Sequence, residues 1–415
     1  MALLNFIEKS PTAFQAVLEM KKELLAAGAK ELCESEAWDL QRDQDYFVVK
    51  NDSAILAFHI PAKADAFHIY AAHGDSPSFK IKENPEIVVE NAYVKLNVER
   101  YGGMLMAPWF DRPLSAAGRV IVERDGALQS IPVNVDRDLL IIPNMAVHMN
   151  REANDGMKYN PQQDLLPLFG GIEAKGTFMK TVAEAAGVSE EEILGHDLYL
   201  YPRVKPVVFG AQGEFIAAPR IDDLECAYAG LQGFLAGKKE DAVSVFCMFD
   251  NEEVGSGSIQ GAAGFFLADT LSRISEALSD TEEDRIRRLT RSFLISADNG
   301  HAVHPNHPEK TDPTNRPKVN GGILLKFSAN LRYTTDGKSA AELRRIAKKA
   351  DVPVQLFFNR SDMMGGSTLG NISLTKVPVH SVDIGLAQLS MHSTYETAGV
   401  KDYGYLKALA EAFFA

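Results

Sequence analysis

The apolar positions of this chain follow two rhythms. Residues 3–30, around SPTAFQAVLEMKKELLAAG, repeat at the spacing of amphipathic helices, with Ser10 as an N-cap, Pro11 at the first helical position and Gly28 as a stop. YFVVK, AILAFHI and AFHIYAAH follow, and the last is so nearly continuous that it predicts a strand buried on both faces. From about 87 to 204 the period drops to two in EIVVENAYVKLNVERYGGML, GRVIVERDG and LQSIPVNVD, punctuated by Gly and Pro. That β-rich stretch continues through polar HMNREANDGMKYNPQQD, a predicted helix at SEEEILGHD and a strand at LYLYP. After PRIDDLECAYAGLQGFLAG the α/β rhythm returns. It predicts strand 243–249, helix 259–277, strand SFLISAD, strands near 322–334, helix 339–349, strands PVQLFF and VPVHSVD, and a closing helix, DYGYLKALAEAFF. The economical organisation is an α/β domain, 1–86 plus 205–415, interrupted by a β-rich insertion, 87–204.

Composition narrows the class of protein. The 415 residues are 46 % hydrophobic and 24 % charged, a balance that suits a soluble globular chain with a sizeable core. A net charge of −13 argues against general binding to nucleic acid or an anionic membrane. No stretch has the length of a membrane span, and the amino-terminal residues lack a secretory leader's apolar run and cleavage site. Cys33, Cys226 and Cys247 are odd in number and far apart, which argues against a disulfide framework and a thiolate zinc site and makes the cytoplasm the expected compartment.

The chemistry gathers at strand exits, where open α/β sheets bind their ligands. Strand 66–72 runs into HGDSPS, with His73 and Asp75. Asp222 and Asp223 precede an apolar helix. Strand 243–249 runs into DNEEVGSGS, with Glu252 and Glu253. Asp298 follows the next strand, with His301 and His304 just beyond, and His392 lies in LSMHSTYE. Each alone has an ordinary reading, as a solvated acidic loop or a capping histidine. Together they predict a cation, because clustered carboxylates suppress one another's ionisation and imidazole with carboxylate suits zinc, cobalt or manganese.

On these segments the chain resembles the M18 family, the aspartyl aminopeptidases with two metal ions. AHGDSPSFKIK, YGGMLMAPWFDRPLSAAGRVIV, PRIDDL, DNEEVGSGSIQGA, SADNGHAVHPNHPEK and LSMHSTYETAG all look like family signatures, in the family's order. The resemblance implies a three-layer α/β zinc-peptidase-like domain with an inserted β-rich dimerisation domain. It implies His73, Asp222 (bridging), Glu253, Asp298 and His392 as metal ligands, Asp75 as the residue orienting His73, and a cis bond at Asp222–Asp223. It implies Glu252 as general base and His301 as oxyanion donor. Lys326 and Tyr333 in LLKFSANLRY become contacts for an acidic side chain, and His304 supports the ligands from behind. His148 becomes a substrate contact offered across a subunit interface, with direct metal binding as an alternative. The implied cofactors are two divalent ions, zinc by default. The implied substrates are peptides with a free acidic amino terminus, and the implied assembly is a tetrahedral dodecamer of dimers. Two other readings stand beside this one: a dinuclear aminopeptidase or deacylase of broader specificity, and an inactive oligomeric scaffold.

Overall fold

In a computed structural model, which describes residues 1–238, 240 and 242–415, a nine-stranded sheet forms the middle layer of the larger domain. Its central strands, Val243–Phe249, Phe67–His73, Phe293–Ala297 and His380–Gly385, run parallel in that spatial order. Every residue of Val243–Phe249 is buried, the outcome expected for a parallel strand covered on both faces. The outer strands are Ala54–His59, Asp45–Lys50 and Lys30–Leu32 on one side, and Ile323–Lys326 and Val354–Phe357 on the other.

Two apolar cores lie on opposite faces. Helices Ala2–Lys9, Ala13–Ala26, Ile221–Ala236, Gly337–Lys349 and Asp402–Phe413 cover one. Phe266–Ala277, Glu282–Arg291 and the short Leu369–Ser373 cover the other. The chain is therefore a three-layer α/β fold. Helix Ile221–Ala236 lies so close to the sheet that a Cβ on Gly230 would meet the Tyr70 ring at 2.2 Å. Only glycine allows that approach, and it sets the depth at which the chain presents Asp222 and Asp223, whose backbone is not helical and which lie just ahead of the regular turns.

A six-stranded antiparallel sheet stands apart with its own core around Phe79, Trp109 and Phe178. It begins at strand Ser78–Val89, ahead of the alternation read from 87, and ends with Gly195–Pro202. A third, five-stranded sheet contains Val207–Phe209, Phe215–Ala218, Glu396–Gly399, Ala387–Leu389 and Gly300–His301.

Several local expectations differ from the structure. Helix 259–277 starts only at Phe266, because Gly261 and Gly264 sit in tight turns where a Cβ would press on backbone oxygens of Ser256 and Ser258. SEEEILGHD is a single turn, Glu190–Glu192, closed by a Ser189–Glu192 capping box, after which Gly195 already belongs to a strand. Of the strands near 322–334, Ile323–Lys326 alone is regular. Helices Phe178–Ala186 and Glu282–Arg291 were not expected from the pattern.

Candidate metal and peptidase site

The parallel strands bring their carboxyl ends to one edge, and the polar residues of the sequence motifs converge there. A cavity of about 320 Å³ opens at that edge. His73, Asp222, Glu252, Glu253, Asp298 and His392 line it, as do His301, Lys326 and Tyr333. His304 is not among the lining residues; its Nδ1 accepts the amide of Asn306 at 3.2 Å and its ring faces His307. His148 is exposed on the loop after Ile142 and belongs to no cluster of metal-type donors among the described residues.

Donor atoms fall into overlapping sets whose members lie within 4.8 Å of one another: His73 with Asp222 and Asp298, Asp222 with Glu253 and His392, and His73 with Glu252 and Glu253. Asp222 belongs to the first two. Its Oδ1 is 3.8 Å from Nε2 of His73 and its Oδ2 is 3.2 Å from Nε2 of His392. Nε2 of His392 also stands 3.3 Å from Oε1 of Glu253. The bond between Asp222 and Asp223 is cis.

Backbone contacts fix these side chains. Asp75 accepts the amides of Glu252 and Glu253, each at 3.1 Å, and its Oδ1 lies 3.4 Å from Nδ1 of His73. The carbonyl of Asp75 is a second partner for that nitrogen, at 3.1 Å. Such a partner orients an imidazole so that Nε2 faces the cavity. Glu396, which sequence reasoning missed, accepts the amide of Asp222 through Oε2 at 3.0 Å and that of His392 through Oε1 at 2.7 Å. An acidic residue four positions after His392 was the available signal. Asp223 was noted without a role; its carboxylate accepts the His73 amide at 3.2 Å. Asn299 was also missed: its side chain joins Leu386, Gln388 and Cys226, and its carbonyl accepts Lys326 Nζ at 2.8 Å.

The electrostatics fit a cation. Burial pushes Glu252 up to about 9, against the pull of His73, and the carboxylates of Asp298, Glu253 and Asp75 add to the rise. Burial likewise brings Glu253 to about 7. Burial pulls His392 down, but Asp222 and Glu253 outweigh it and raise the imidazole to about 11. Burial opposes ionisation of Asp222 as well, yet His392 and His73 hold it below the usual carboxylate range. Oδ1 of Asp222 and Oε1 of Glu253 are buried without a hydrogen-bond partner. Unpaired buried oxygens beside imidazole nitrogens are the donor set that binds zinc-like ions.

Lys326 is 2 % exposed, with Nζ 3.7 Å from Asp298 Oδ1 and 5.4 Å from the centre of the Tyr333 ring. His301 reaches the open cavity but is crowded by neighbours, and that crowding with the nearby Lys326 charge lowers its pKa.

Known proteins resemble this chain in sequence and fold. The family described as "Aminopeptidase I zinc metalloprotease (M18)" matches residues 6–414. A probable M18 family aminopeptidase 2 of Clostridium novyi is 45 % identical, over 99 % of this chain and 97 % of that protein. A chain in the cryo-EM structure of the Ape4 and Nbr1 complex superposes with a TM-score of 0.96 at 34 % identity, covering 100 % of this chain and 84 % of its own. The S. cerevisiae mApe1 dodecamer gives a TM-score of 0.87 at 26 % identity, covering 100 % and 95 %. With its strand-end cluster of imidazoles and carboxylates, the chain belongs to the M18 family of zinc metalloproteases and is an aminopeptidase of that family.

Proposed function

We propose that the protein removes acidic residues from the amino-terminal ends of peptides at a site for two metal ions. The observation that carries this reading is the double membership of Asp222, whose two oxygens face His73 and His392 in separate donor sets. His73, Asp222 and Asp298 would hold one ion, and Asp222, Glu253 and His392 the other. Zinc suits these donors best, with cobalt or manganese as alternatives. When bound, such ions polarise a carbonyl and make a water acidic enough to attack near neutral pH.

The remaining steps belong to the chain. Glu252 lines the cavity beside both donor sets, and its burial makes it a strong proton acceptor. It takes the proton of the attacking water and passes it to the leaving amine. His301 is kept neutral and donates an N–H to the oxygen on which charge develops. Asp75 keeps His73 in the ligating orientation. The acidic wall of the cavity favours a free, positively charged amino terminus.

Lys326 accounts for acidic selectivity. Among the described residues it is the only Lys or Arg lining the cavity. An ammonium carries three donors, and Asn299 occupies one of them, so a substrate carboxylate can take another. Tyr333 lies under the ammonium and steadies it. His304 supports the adjoining loop.

The relatives suggest an assembly of many copies, here a tetrahedral dodecamer of dimers joined through the six-stranded domain. The exposed His148 is then offered to the cavity of a neighbouring subunit. The cytoplasm is the compartment we assign, where the free Cys226 and Cys247 stay reduced.

The test is hydrolysis of Asp-, Glu-, Leu- and N-acetyl-Asp-p-nitroanilide with and without a chelator. Cleavage of free Asp and Glu alone, abolished by the chelator, is the expected result. Equal cleavage of Leu would leave a broad dinuclear aminopeptidase, and cleavage of the acetylated substrate would leave a deacylase or endopeptidase. No cleavage with zinc, cobalt or manganese would leave a scaffold.

A further inference from the structure

The motif YGGMLMAPWFDRP supplies none of the clustered donors, yet it touches the loops that carry them. Those loops lie outside the sheet and bend sharply: Asn251 (φ 62°), Ser390 (φ 58°) and His392 (φ 64°) are all left-handed. The His392 loop joins the paired strands Ala387–Leu389 and Glu396–Gly399 and the Glu253 loop follows Val243–Phe249, so contacts beyond those ladders set where the loop residues lie.

Tyr101, at the end of strand Tyr93–Tyr101 of the six-stranded sheet, supplies the first. Its hydroxyl donates to Oδ2 of Asp75 at 2.7 Å and accepts Nδ2 of Asn251 at 2.9 Å. Asp75 in turn holds the amides of Glu252 and Glu253. Gly102, with φ +73°, backs directly on Glu253: a Cβ there would stand 3.1 Å from Glu253 Cβ and 3.3 Å from its carbonyl oxygen. The amide of Leu105 donates to the carbonyl of His392 at 3.1 Å. The carbonyl of Pro108 accepts the hydroxyl of Thr394 at 3.0 Å. One short segment of the smaller domain thus grips both the Glu253 loop and the His392 loop.

We propose that Tyr101–Pro108 is a positioning strap that fixes the spacing of Glu253 and His392, so that the six-stranded domain sets the metal affinity of the cavity. The inference rests on the metal-binding reading above. The chemistry is that of outer partners of metal ligands, whose loss commonly weakens binding ~10- to 100-fold. If the segment only glued the two domains together, its loss would lower stability and leave metal affinity alone. Gln15 provides that comparison, because it joins the domains away from the site, with Nε2 donating to the carbonyls of Gly118 (2.9 Å) and Val133 (3.0 Å).

Zinc affinity is measured on the full-length apoprotein by competition with a chromophoric chelator, alongside the thermal midpoint of each apoprotein. Tyr101→Phe should bind zinc ~10-fold more weakly with an unchanged apoprotein midpoint, and Gly102→Ala at least as weakly. Gln15→Ala should lose stability and keep its affinity, and Asp222→Asn should lose tight binding. Tyr101→Phe binding zinc as tightly as the wild type overturns the strap, as does a loss that only tracks a lowered midpoint. If Asp222→Asn binds zinc like the wild type, the metal reading itself has failed, and the strap fails with it.

Discussion

Nε2 of His392 stands 3.2 Å from Oδ2 of Asp222, although one residue lies in the non-helical start of Ile221–Ala236 and the other in a loop far along the chain. Glu396 makes that approach possible by holding both backbone amides on one carboxylate. It is 2 % exposed, so water cannot replace it. Glu396→Gln turns an amide donor toward a backbone donor on one side. We expect metal affinity to fall ~10- to 100-fold, with substrate KM little changed once zinc is saturating. Zinc titration of the apoprotein, followed by kinetics at high zinc, checks this.

Glu252→Gln keeps the shape of the side chain and removes its ability to accept a proton. The expected outcome is a fall in kcat of ~10²- to 10⁴-fold with metal content unchanged. Metal analysis beside steady-state kinetics separates this from a role as ligand, in which both quantities would drop.

Lys326→Met removes the cation and keeps the bulk. A hydrogen bond to a charged group contributes about 1.5–3 kcal/mol, so kcat/KM for an amino-terminal Asp should fall ~10- to 100-fold. Because Lys326 also neighbours Asp298, some loss for every substrate is expected. The informative quantity is the ratio of Asp to Leu cleavage, which should collapse; an unchanged ratio would remove Lys326 from the specificity pocket.

The metal-free protein should lose stability as pH rises. Glu253, Glu396 and Glu252 are raised from ordinary glutamate values to about 7, about 8 and about 9, and His392 is raised to about 11. Each binds its proton more tightly folded than unfolded. Their stabilisation is therefore present below the unfolded pKa values and is lost as pH climbs through the folded ones. The apoprotein's thermal midpoint should fall between roughly pH 5 and 9. Saturating zinc should flatten that slope, since a cation replaces the protons.

Much of this could be read from the chain. The strand at 243–249 and its exit into Glu252 and Glu253 came from an apolar run ending in carboxylates, because a fully buried parallel strand leaves that mark in composition. His73 and Asp298 were legible for the same reason. Other features depend on distant partners. Glu396 acts through amides that only the folded chain brings to it, and Asn299 through contacts with three separate segments, at Ile221, Lys326 and Leu386–Gln388. The early start assigned to the helix at 259 failed for a local reason: Gly261 and Gly264 serve tight turns packed against the backbone of residues 256–261, and an apolar period does not reveal those turns. His304, which the resemblance implies as a supporting residue, has Asn306 and His307 as its neighbours, a local turn that the motif alone does not reveal.

The most direct test of the central claim is anomalous diffraction at the zinc absorption edge from crystals of the zinc-loaded protein. The account predicts two peaks flanking Asp222, one against His73 and Asp298 and one against Glu253 and His392. A single peak, or none beside Asp222, would contradict it.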